Sequence, residues 1–215
     1  MKQTTLLVLL FLWLTVAVVA QAQDGETDVP NAITLTDETG QYPLSGRVAV
    51  FKDPTGQLTI EQVASPEMAG RFVPSATSTP QFGIAHDAIW LRFYLDDRSQ
   101  SIPEWLLDIP YASLENIDLY IPQPDGGYQK QQSGLLIPNT EQGFSERYYV
   151  FNLPAGLQPG QPIYLRVTSS NSLVVPMTVW SHDALALQER TENLVWGIYF
   201  GIMLGMALFN LILFL

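Results

Sequence analysis

The final 22 residues, Leu194–Leu215, read LVWGIYFGIMLGMALFNLILFL and carry no charge. A helix rises 1.5 Å per residue, so about 20 apolar residues cross a hydrocarbon core about 30 Å thick. The segment therefore predicts a membrane-spanning helix. The alternative, a buried helix of a soluble core, seldom runs this far without a polar face. Gly197, Gly201 and Gly205 recur every fourth residue along one stripe. Such a stripe lets another transmembrane helix approach closely, although glycine is also common in membrane helices generally. Asn210, deep in the same segment, is expected to find a partner on a neighbouring helix. A lone anchor needs neither feature, so the segment reads as the first helix of a bundle, and the chain as the front of a longer protein or a truncated product.

A second apolar run lies at the other end. Met1-Lys2, an apolar stretch over Leu6–Ala20 and the small-x-small triplet Ala20-Gln21-Ala22 predict a signal peptide over residues 1–22, with maturation at Gln23. An uncleaved signal anchor is the competing reading. Either one sends the following residues across the membrane. Residues 23–31 are acidic and turn-rich, and read as a mobile leader. The remaining length suits one domain over residues 32–181, with a juxtamembrane helix or linker over 182–193 and the first transmembrane helix over 194–215.

No cysteine is present, which excludes disulfides, thiol chemistry and cysteine metal sites. The net charge of −11 becomes −12 once Lys2 leaves with the signal peptide. That sign argues against nucleic acid and against adhesion to anionic lipid.

From residue 32 onward, short alternating runs are separated by turn residues. Ala88–Leu95 is the clearest strand: Ile89, Leu91, Phe93 and Leu95 point one way, Trp90, Arg92 and Tyr94 the other. Leu58 and Ile60 read as a further strand, and Ser65–Pro80 as a loop. Further strands are expected at Trp105–Ile109, Asn116–Ile121, Tyr148–Leu153, Ile163–Ser169 and Leu173–Trp180, the last demoted to an edge or bulge by Pro176. Eight or nine strands without interleaved helices predict an all-β, antiparallel sandwich. Ser181 is placed to cap a helix running toward Leu194, either continuous with the membrane segment or a flexible tether.

Two strands present flat rings beside guanidinium groups. Trp90, Arg92 and Tyr94 do so on one, and Tyr164 and Arg166, followed by Thr168, on the other. Rings stack on sugar CH groups and arginine donates to hydroxyls or carboxylates, so this face is a candidate carbohydrate site. The structural alternative is a buttressing network in which Asp108 and Asp118 pair with Arg92 and Arg166.

No catalytic or metal-binding set emerges. His86 and His182 lie far apart, and no nucleophile elbow, HExxH or phosphate loop occurs. Asp96-Asp97 reads as a solvated turn, without the spacing of an EF-hand. No cofactor is expected.

Several blocks together carry a family resemblance: VFKDPTGQLTIEQVAS, AIWLRFYLDD, LLDIPYASLENIDLYIP, RYYVFNLPAG and PIYLRVTSSNSLVVPMTVWSHDAL. They resemble the second type of extracellular domain of bacterial seven-transmembrane receptors with diverse intracellular signalling modules. WGIYFGIMLGMALFNLILFL is similar to the opening helix of that family's seven-helix region. The resemblance implies a jelly-roll sandwich like carbohydrate-binding modules, in the periplasm and anchored in the inner membrane. It also implies relay to a seven-helix bundle and a cytoplasmic output module. A membrane-anchored adhesion module packing its sheet face on a partner protein is the other reading.

Overall fold

The computed structural model describes residues 32–85, 87–137 and 149–214. The signal peptide, the leader, His86 and Tyr148 lie outside the described residues.

Two facing sheets follow from the alternation. The larger is ordered β4 (Val73–Pro74), β3 (Ala49–Asp53), β6 (Ala88–Asp97), β11 (Pro162–Thr168), β8 (Asn116–Pro122), β9 (Tyr128–Ser133). β1 (Ile33–Leu35) joins it as a seventh strand, parallel to the far end of β6. The smaller is ordered β10 (Tyr149–Pro154), β7 (Glu104–Ile109), β13 (Thr178–Ser181), β2 (Gln41–Pro43). β5 (Gln81–Ile84) and β12 (Ser172–Val174) form a separate pair. Apart from β1 on β6, the ladders are antiparallel. The chain passes repeatedly between the two large sheets, and β6 lies between β3 and β11.

Between the sheets lies one core. The large sheet supplies Ile89, Leu91, Phe93, Leu95, Ile117, Leu119, Ile163, Leu165 and Val167, and the small one Trp105, Leu107, Ile109, Phe151, Leu153 and Val179. The inward set of β6 is the one its period-2 pattern marks out, and burying it supplies the main driving force for the sandwich.

Three parts depart from the sequence reading. Leu58 and Ile60 do not continue a strand: Ile60–Val63 is a helical turn, α1, followed by α2 over Pro66–Ala69. Thr59 and Gln62 form a capping box and Pro66 sits in the first turn of α2, local signals that outweigh a two-residue alternation. Helices are thus interleaved with the strands. Leu173–Trp180 is not one strand either. It breaks at Pro176, whose missing N–H interrupts a ladder, and its halves join different sheets. Strands β2, β5 and β9 escaped the pattern because they carry few apolar residues.

The last strand runs directly into α3, His182–Phe214, one unbroken helix. Ser181 Oγ accepts from the Ala184 N–H at 3.3 Å, the cap its position predicts. α3 is long and apolar enough to cross a membrane. Asn210 donates to the Met206 carbonyl of its own helix at 2.9 Å.

Candidate functional site

Alternation sends Trp90, Arg92 and Tyr94 of β6 to the outer side of the large sheet, together with Tyr164 and Arg166 of β11. The register sets Tyr164 opposite Arg92 and Arg166 opposite Trp90, so these four form one patch. β8 adds Asp118 and Tyr120, opposite Arg166 and Tyr164. The five nominated side chains are therefore neighbours on one face.

That face is not open to solvent. Residues 54–72, carrying α1 and α2, fold over it as a roof and bring Ile60, Val63 and Phe72 against Phe51, Trp90, Tyr120 and Tyr164. Trp90 is 0% exposed and Tyr164 3%. Trp90 stacks on Tyr120 with ring centroids 5.6 Å apart, and Phe72 tilts onto Tyr164 at 5.8 Å. Tyr128, from β9, meets Tyr164 edge-on at 5.7 Å. Tyr94 is half-buried at the border.

Both arginines hold the roof. Arg92 donates to the Ala69 carbonyl at 3.3 Å, its guanidinium 4.4 Å from the centre of the Phe72 ring. Arg166 donates to the Gly56 carbonyl at 2.9 Å and to Asp118 at 3.4 Å. Lys130 at 3.1 Å and Gln132 at 2.8 Å also reach Asp118, so this carboxylate is the hub of a charged cluster. The entry to the roof is pinned at Asp53. Burial pushes its carboxyl up, but donors from Thr55, Leu58 and Gly56 outweigh that and hold it below the usual range. Gly56 itself sits at φ 63°, a turn conformation that suits glycine.

Two donors in this face have no acceptor among the described residues: Trp90 Nε1 and Arg92 Nε. The phenols beside them stay protonated, burial pushing Tyr120 and Tyr128 each up to about 12 and raising Tyr164 as well.

The expected pairing of both aspartates is half realised. Asp118 pairs with Arg166, but Asp108 lies on β7 of the other sheet, on the opposite outside of the sandwich. Asp96-Asp97 is not a solvated turn. Asp97 accepts from Ser99, Trp105 Nε1 at 3.2 Å and the Gly156 N–H at 2.8 Å, while Asp96 pairs with Arg98 at 2.7 Å. Tyr120 was recoverable from the spacing Asp118-x-Tyr120, whereas Phe72, delivered by the roof, follows from no period.

An antiparallel sandwich continuous with a spanning helix is the build of a membrane-tethered ectodomain. Residues 45–181 match the family model of the 7TMR-DISM extracellular 2 domain, well over half of the chain. The protein belongs to that family and is the sensor domain of a membrane receptor. Comparison with curated proteins found no match.

Proposed function

We propose that the sandwich, residues 32–181, senses a carbohydrate-like small molecule in the periplasm. A cleaved signal peptide over residues 1–22 exports it, and residues 194–215 are the first inner-membrane helix of a seven-helix bundle that relays to a cytoplasmic output module. The ligand site is the roofed aromatic face: Trp90, Arg92, Tyr94, Tyr164 and Arg166.

The supporting observation is the pair of buried donors without acceptors. An unpaired buried donor costs about 1–3 kcal/mol, and a saccharide oxygen would remove that cost. The guanidinium groups that would meet sugar hydroxyls now hold Ala69 and Gly56 of the roof. A ligand competing for them favours an open roof over a closed one, a two-state bias of the kind a sensor needs.

The test is a thermal-shift and titration screen of neutral glycans on the chain in nanodiscs, repeated with Trp90→Phe. This variant keeps a large ring and deletes the N–H. The expected result is a saturable glycan shift, with affinity about ten-fold weaker in the variant and melting unchanged. A screen without saturable binding, or a Trp90→Phe variant with native affinity, refutes the reading. Co-purification of a protein partner on the intact face would favour the adhesion role instead.

A further inference from the structure

Along the β4 edge of the large sheet runs a groove of about 410 Å³, lined in part by Phe51, Lys52, Arg71, Val73, Gln81 and Phe82. Its volume falls within the range of small-molecule sites. The chain carries 21 acidic and 10 basic residues, yet this groove is lined by two cations and no carboxylate. Three other cations meet acids, Arg98 at Asp96 and Lys130 and Arg166 at Asp118, while Arg47 and Arg92 donate to backbone carbonyls. Lys52 and Arg71 have no ion-pair partner among the described residues.

Rings position them instead, and Arg71 also donates to Met68 Sδ at 3.6 Å. Lys52 Nζ lies 5.7 Å from the centre of Phe82, and the Arg71 guanidinium 5.1 Å from that of Phe51. The neighbouring acid does not fill the gap, since Asp53 spends its oxygens on Thr55 and Leu58. The hydroxyls of Ser75 and Thr77 are already donated to backbone carbonyls of their own loop. The charge available to a ligand is therefore that of the two cations. Beside them the groove offers apolar surface, including Val73, 64% exposed.

We infer that this groove binds a small organic carboxylate, the anion between Lys52 and Arg71 and a ring or aliphatic body along Phe82 and Val73. Arginine and lysine both form charge-assisted bonds to carboxylate, stronger than bonds between neutral groups. The acid could be a uronic sugar or a free aromatic acid, which share this chemistry. The inference does not depend on the roofed face being a saccharide site.

Titrations of the chain in zwitterionic nanodiscs, with glucuronate in one arm and phenylacetate in the other, test it. Glucose and phenylacetamide serve as the uncharged counterparts. At least one acid is expected to bind saturably and about ten-fold or more tighter than its counterpart. Lys52→Gln with Arg71→Gln should abolish that preference while melting is retained, because both side chains are exposed; Lys52→Arg with Arg71→Lys should restore most of it. Saturation by glucuronate alone assigns an acidic sugar, and by phenylacetate alone an aromatic acid. Binding that survives the double glutamine variant, equal binding of the uncharged counterparts, or no binding of either acid overturns the inference. Trp90→Phe should leave carboxylate binding unchanged, so a failure here is separable from a failure at the roofed face.

Discussion

The sandwich has two outer faces, and both are covered by chain rather than by water. Over the large sheet the roof brings rings and hydrogen-bond acceptors to two arginines. Over the small sheet the first turns of α3 bring Ala184 and Leu185 onto Leu106, Val150 and Trp180. Each face buries a tryptophan, Trp90 on one side and Trp180 on the other. They differ in charge. The roofed face gathers cations around one shared carboxylate. The helix-covered face holds a single buried carboxylate, Asp108, 7% exposed, with the Trp180 side chain beside it. Burial first, and then the nearby Glu189 and Glu192 of α3, push its pKa up to about 7. Covering alone does not define a ligand site. The roofed face carries the unpaired donors on which the saccharide proposal rests, whereas the other places a titratable group where the sandwich meets the membrane helix.

The comparison rests on the core that both faces share, so the largest effect comes from breaking it. Leu91→Asp places an unpaired carboxylate between the sheets at a cost of several kcal/mol, and circular dichroism should show loss of the cooperative melt. Removing the roof's tie is next. Arg166→Ala strips Gly56 of its donor and Asp118 of one cation, with an expected loss of about 1.5–3 kcal/mol in denaturant unfolding. Native stability in that variant would mean the roof is held by its apolar contacts alone.

On the opposite face, Asp108→Asn should stabilise, by about 1–2 kcal/mol at pH 8 after allowing for partial solvation. The folded pKa near 7 lies above the ordinary 3.8, so folding favours the protonated form. Its stabilising effect grows as pH falls from above 7 toward 4 and is lost as pH rises through 7. Asp53, held below its ordinary value, acts in the opposite sense, its contribution disappearing as pH falls through its folded pKa. Melting curves between pH 5 and 8 should therefore slope downward with pH in the native chain and flatten in the asparagine variant. A native slope persisting in Asp108→Asn would assign it to other groups. The smallest net change is Trp90→Phe, within about 0.5 kcal/mol, because the gain from deleting an unpaired N–H and the cost of the cavity left by the smaller ring oppose each other.

The strands facing the core were legible because period-2 alternation is set by burial, and β6 and β11 carry it over six or more residues. The same alternation placed Trp90, Arg92, Tyr94, Tyr164 and Arg166 on one side, as the register shows. It could not say what covers that side. The roof comes from a segment with only Leu58 and Ile60 to suggest a period, and the capping pair Thr59 and Gln62 was the better signal. Nor could it separate Asp108 from Asp118. Alternation fixes a face within one strand, and the two outward faces of a sandwich lie on opposite sides of the molecule. Residues 1–31 leave the expected signal peptide and leader a matter of sequence alone.

Because α3 is unbroken from its cap to Phe214, azimuth is conserved along it. Successive residues turn by about 100°, so Gly201 lies about 160° around the axis from Leu185, with Gly197 and Gly205 within about 40° on either side. Leu185 marks the side on which the helix meets the small sheet. The glycine stripe therefore points away from the sandwich, and no other part of the described chain lies within 4 Å of the Cβ positions there. The ectodomain overhangs one flank of its membrane helix and leaves the opposite flank, the smoother one, clear for a neighbour in the bilayer.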